Sequence, residues 1–363
     1  MAVIDPTIEL VLWVGITILS LLVAVGAITI TASIYYRLGD RRREAVRSDV
    51  RYGILERMSS DEPDWEGWVA DLSEVESEVA RTELDTYLRS TEGEEHDRLR
   101  ECGDALGIPS DAREMLATEK RHRKLQALSW LALLEEAPDP ATLRETCTAD
   151  SDLRAAGARV LHEADHPAAR SVGTELLLGN GDLTLSVYGL DTLYQLHRAT
   201  PAPLFERAAT EYPDWRPSLI IQILTVLRHC GVAGRDAPRE WIVELTDHDL
   251  PAVRAAAVTA LEPGGWRTDL RETVDIDRLV EDSDATTRRA VYAMLAEWDD
   301  EPALEALADA AVTDPDQRAR VRALEPLVDR PELASPGAAG AGDDRYERAW
   351  AWARANAVPE TDS

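Results

Sequence analysis

The sequence predicts an all-α protein: one N-terminal transmembrane helix followed by a solenoid of helix pairs. Three observations predict it. The motif Arg254 to Leu261, RAAAVTAL, returns at a near-constant interval, so that Leu128, Leu161, Leu193, Leu227, Leu261, Leu295 and Leu327 align with spacings of 33, 32, 34, 34, 34 and 32. With those leucines in register, the column three residues earlier reads Leu125, Ala158, Leu190, Leu224, Val258, Tyr292 and Leu324, apolar every time. Finally, the 27 residues from Leu10 to Tyr36 carry no charge, enough to cross a bilayer core of about 30 Å. A period near 33 means that each unit packs on its neighbours rather than around one centre.

Taken in order, residues 1–9 form a short external N-terminus and residues 10–36 the span. Asp5 and Glu9 precede the span and no basic residue does, unlike a secretory signal. Arg37, Arg41, Arg42, Arg43, Arg47 and Arg51 follow it, which places the bulk of the chain in the cytoplasm by the positive-inside rule. The expected location is the cell membrane, single-pass, with the N-terminus outside. Residues 37–62 read as a basic juxtamembrane connector. Residues 63–120 read as a helical capping module, with Trp65, Trp68, Leu72 and Val75 at helical spacing and helices at about Trp68 to Arg89 and Glu94 to Leu106.

Repeats occupy residues 121–330. Each is a helix pair whose second helix follows a turn with paired acids or an Asn–Asp pair: Asp150 and Asp152, Asn180 and Asp182, Asp247 and Asp249, Asp282 and Asp284, Asp314 and Asp316. Carboxylates there suit the unpaired amides and positive dipole of a helix start. Alternating apolar strands are absent. Asp-x-Asp followed by VRAAAVTAL resembles the HEAT-repeat family, including its HEAT-like variants. That resemblance implies a ladder pairing turn aspartates with second-helix arginines of neighbouring repeats: Arg121, Arg154, Arg254, Arg288 and Arg320 with Asp249, Asp284 and Asp316. Ser186 and Ile220 interrupt the arginine column, and Pro326 is expected to bend the last second helix. Residues 331–342 read as a flexible linker, and residues 343–363 as a C-terminal helix and tail in which Tyr346 and Trp350 cover the last repeat.

The charge balance is 68 acidic against 39 basic residues, a net −29, with only two lysines, Lys120 and Lys124. This composition resembles that of proteins from salt-loving archaea. No sustained basic stripe follows the membrane flank, so nucleic acid is not an expected partner. Cys102, Cys147 and Cys230 show no metal-ligand or disulfide spacing. His162-Glu163-Ala164-Asp165-His166 spells HExxH, in which two histidines one helical turn apart bind zinc. Pro167 disfavours helix at His166, so His162 and His166 are candidate metal ligands only in spelling. No catalytic residue, cofactor or small-molecule ligand is expected. The expected function is a membrane-anchored, non-enzymatic scaffold that presents the solenoid to a protein partner. Alternatives are an accessory subunit of a membrane enzyme or transporter, such as a glycosyltransferase system, and a HEAT-like lyase or metal hydrolase.

Overall fold

A computed structural model describes residues 44, 46–60, 62–148, 150–179, 181, 184–230, 237–265, 267–333 and 344–356. The expected span at residues 10–36 lies outside them. Among the described residues no helix is long and apolar enough to cross a membrane, and no strand occurs. The chain divides into two compact units, one ending at Asp111 and one beginning at Ala112.

The first unit contains α1 (residues 46–58), α2 (Trp65–Asp71), α3 (Glu74–Leu88) and α4 (Glu94–Ala105), and α5 (Ile108–Leu116) starts in it. Two expectations are corrected here. The helix expected from Trp68 to Arg89 is two helices, because Ser73 and Glu76 form a reciprocal capping box that starts α3 afresh. Val75 lies in the first turn of α3 and is exposed, whereas Trp65 is buried. The connector is also not merely a connector. Val50 and Ile54 of α1 are buried, and Arg47 and Arg51 both donate to Glu83, a carboxylate only 1% exposed on α3. Burial alone would raise the Glu83 carboxyl, but the two guanidinium groups hold it below the ordinary range.

In the second unit the second helices of the pairs are α6 (Arg121–Leu133), α8 (Ser151–Glu163), α10 (Val187–His197), α12 (Pro217–Cys230), α14 (Pro251–Leu261), α17 (Ala285–Trp298) and α19 (Gln317–Leu324). Each packs on the next in that order. The intervening first helices are α7 (Pro140–Cys147), α9 (Ala169–Leu178), α11 (Ala202–Glu211), α13 (Glu240–Glu244), the short pair α15 (Thr268–Thr273) and α16 (Ile276–Val280), and α18 (Glu301–Thr313). All seven aligned leucines are 2% exposed or less, in one continuous core. Burying such a side chain contributes about 1.5–3 kcal/mol, so this column alone is a large part of what holds the pairs together.

Helix ends follow from local chemistry. Asp139, Asp150, Asp284, Asp300 and Asp316 each accept a backbone amide at a helix start. Pro326 ends α19 instead of bending it, since the α-helix stops at Leu324 and passes into a 3-10 turn, Glu325–Leu327. Past the undescribed residues 334–343, α20 (Asp344–Asn356) packs on α19, burying Tyr346, Ala349 and Ala353. Gln317 anchors it by donating to the Arg345 carbonyl at 2.9 Å. The three cysteines are buried free thiols. Burial pushes Cys102 up to about 12 and Cys147 and Cys230 up to about 11, which suppresses thiolate chemistry at neutral pH.

Candidate functional site

The ladder is the internal frame. In α14 the fourth residue, Arg254, sends Nη1 back to the His248 carbonyl at 2.9 Å, while Nε and Nη2 grip Asp282 of the next turn at 2.7 and 2.8 Å. Arg288 repeats the arrangement one unit on. Its Nη1 donates to the Asp282 carbonyl at 2.7 Å, and Nε and Nη2 donate to Asp314 at 2.8 and 2.9 Å. Arg320 likewise donates to the carbonyl six residues back, at Asp314. The carboxylate that takes the arginine is therefore the first acid of each pair, Asp282 or Asp314, whereas Asp284 and Asp316 cap their helices. Asp249 contributes its carbonyl to Arg254 rather than its carboxylate.

Asp314 is fully buried. Burial alone would raise its pKa, but Arg288, the Tyr292 hydroxyl at 2.6 Å and the Asp316 amide hold it below the carboxylate range. Arg121 reaches Asp150 and Asp152 at 2.8 and 2.5 Å. Arg154 is buried, and its Nε has no hydrogen-bond partner among the described residues; Asn180 and Asp182, the next pair in the sequence, lie outside them. Where Ser186 and Ile220 interrupt the column, Gln222 takes over: its side-chain amide accepts from the Leu185 amide and donates to the Leu185 carbonyl, both at 2.8 Å. Further ion pairs join residues about one repeat apart, among them Arg144 with Glu175, Arg159 with Asp191, Arg228 with Glu262 and Arg330 with Asp299.

His162 and His166 do not share a helical face. α8 ends at Glu163, Asp165 takes a left-handed conformation with φ 45°, and the amides of Asp165 and His166 close back on the carbonyls of His162 and Leu161. His166 Nδ1 accepts from the Ala168 amide at 3.0 Å. Among the described residues no group of three or more His, Cys, Asp or Glu side chains is placed to hold a metal ion.

The surface feature that stands apart from this frame is a groove of about 630 Å³ bordered by α17, α19 and α20. Four of its lining residues are arginines, Arg289, Arg318, Arg322 and Arg348, against a single carboxylate, Glu325. Val321 and the half-exposed Trp352 supply apolar surface between them. The helical register explains the gathering. On α19, residues 318, 321 and 322 share one face, continued by Glu325 at the start of the 3-10 turn, while Ala319, Arg320, Ala323 and Leu324 are buried on the other. On α20, Arg348 and Trp352 are one turn apart, opposite the buried Tyr346, Ala349 and Ala353. Arg322 pairs with Glu325 at 2.6 Å and Arg289 reaches the Thr286 hydroxyl at 3.0 Å. Arg318 and Arg348 have no carboxylate partner among the described residues. A second cavity, of about 480 Å³ in the first unit, has mixed charge, and its Arg47 is committed to Glu83.

Sequence reasoning missed this groove because its arginines come from three helices and form no run. The QRARVR segment held the signal: projected on a helix, Arg320 points to the core and Arg318 and Arg322 point out together.

No curated protein and no solved structure matches the chain significantly. The family model for HEAT repeats matches residues 240–328, a segment that contains the ladder arginines Arg254, Arg288 and Arg320. Residues 240–328 are therefore similar to HEAT repeats, and the helix pairs from α6 onward stack in the same α-solenoid manner on their N-terminal side.

Proposed function

We propose that this chain is a membrane-anchored interaction scaffold, in which a single span at residues 10–36 holds the HEAT array on the cytoplasmic side for a protein partner. The observation that carries the reading is the array itself: its leucine core is continuous and Arg254 and Arg288 are committed to the ladder, while the exposed faces of α17, α19 and α20 form a groove in which Arg318 and Arg348 have no carboxylate partner among the described residues. Solenoids offer extended surfaces of this kind without an enclosed catalytic pocket. The anchor rests on the uncharged stretch and on Arg37, Arg41, Arg42 and Arg43 behind it; Arg47 and Arg51 belong to the folded unit and add less to the flank. An acid-rich, lysine-poor surface suits molar potassium chloride, where the screening length is about 3 Å and like-charge repulsion is muted.

The test is affinity purification of the full chain from solubilised membranes, compared with a chain lacking residues 10–36. Recovery of one stoichiometric partner by the full chain, and loss of membrane sedimentation on deletion, are expected. Repeated recovery of no partner, or unchanged sedimentation of the deletion variant, would count against the scaffold and the anchor respectively.

A further inference from the structure

We propose that the groove between α17, α19 and α20 docks an acidic peptide segment of the partner protein, one that presents carboxylates on either side of an apolar side chain. The inference rests on the scaffold reading and adds the chemistry of what is bound. Its first support is charge. In a chain with 68 acidic and 39 basic residues, four arginines facing one carboxylate reverse the local balance. Arg318 and Arg322 also sit four residues apart on one face of α19, a like-charge spacing that Glu325 offsets only at Arg322. An incoming carboxylate at Arg318 offsets the remainder.

The second support is geometry. Elsewhere in this molecule arginine grips carboxylate through Nε and Nη2 together, as Arg254 and Arg288 do. Arg318 and Arg348 are exposed at the groove with no carboxylate partner among the described residues, and guanidinium forks match carboxylates in a bidentate way. The third support is the apolar surface of Val321 and Trp352 between the cations. A free inorganic anion would use the arginines and leave that surface wet. A peptide with a central apolar residue uses both, and aromatic and arginine side chains are the residue types that anchor protein interfaces.

The experiment uses the full chain in detergent at about 1 M KCl, where long-range repulsion from the acidic surface is screened and contact pairs persist. Fluorescence anisotropy is read with a labelled peptide of three glutamates, one leucine and three glutamates, and with the same peptide bearing glutamines. Trp352 emission is followed in parallel. The glutamate peptide is expected to bind at least about tenfold more tightly than the glutamine peptide, with a shift in Trp352 emission absent from Trp352→Phe. Arg318→Gln with Arg348→Gln should lower its affinity by about tenfold or more, whereas the exposed Arg123→Gln on α6 should leave it unchanged. Equal binding of the two peptides, or full binding by the double variant, overturns the proposal. Arginine-dependent binding of phosphatidylglycerol vesicles or inorganic phosphate in preference to the glutamate peptide also overturns it. If the double variant still recovers the native partner in full, the groove assignment fails while the scaffold reading stands.

Discussion

Replacing Asp314 tests how the repeats are joined. Its carboxylate takes four donors: Arg288 Nε and Nη2 at 2.8 and 2.9 Å, the Tyr292 hydroxyl at 2.6 Å and the Asp316 amide at 2.7 Å. In Asp314→Ala the guanidinium of Arg288, 8% exposed, keeps only the Asp282 carbonyl, and the buried Tyr292 hydroxyl loses its acceptor. Breaking a buried pair from one side costs about 3–5 kcal/mol, because an uncompensated charge stays behind. Arg288→Met removes the cation and keeps an apolar stem, leaving Asp314 two of its donors, so its cost should lie at the lower end, about 3 kcal/mol. The double variant leaves no stranded charge. Its loss should fall short of the sum of the singles by at least about 2 kcal/mol. Urea titration of the full chain at fixed KCl measures the losses, with amide exchange in α17 and α19 locating them, since repeat arrays unfold piecewise. Single-variant losses that add within about 0.5 kcal/mol would refute the ladder as the joint between these repeats.

Two further outcomes follow from the same packing. His197 is buried against Thr174, whose hydroxyl donates to the Arg170 carbonyl, and burial, reinforced by Arg170, lowers the imidazole to about 4. Its folded pKa lies below the unfolded value of about 6.5, so its contribution is complete above that pH and is lost as pH falls towards 4, by up to about 3 kcal/mol. Wild type should lose that much more stability across this window than His197→Leu, and parallel pH profiles of the two would contradict it. Gly265 lies against Trp298, where an added Cβ would come within 2.4 Å of Cδ1 and 3.1 Å of Cα. Gly265→Ala should lower stability by about 1–3 kcal/mol in the same urea assay, and an unchanged midpoint would show that the indole yields freely.

What the sequence disclosed was what periodicity carries. The leucine column and the column before it mark the second helices, and they do so because a solenoid repeats the same burial at every step. The paired acids announced turns, but not the division of labour within them. Asp282 and Asp284 have one residue type two positions apart; one reaches back to Arg254 and the other caps α17. Spacing alone cannot separate those roles, because both satisfy nearby donors. The Ser73–Glu76 capping box was written in the sequence, yet the apolar spacing on either side of it read as one helix. Arg47 and Arg51 read as a membrane flank because their partner, Glu83, is distant in sequence. The groove was least legible of all. The return of α20 to α19 was legible in Tyr346 and Trp350, but not that Arg348 and Trp352 would then face Arg318 and Arg322.

The central claim is that the array engages a protein partner through the exposed face around α17, α19 and α20. Crosslinking of intact native membranes at native salt, followed by mass spectrometry, tests it most directly. With only two lysines and 68 carboxylates in the chain, the reagent should be carboxylate-reactive. The account predicts crosslinks from carboxylates at the groove, such as Glu325 and those on α20, to one dominant protein, diminished by Arg318→Gln with Arg348→Gln. Crosslinks confined to copies of this chain, or partner crosslinks unaffected by that double variant and mapping away from these helices, would contradict it.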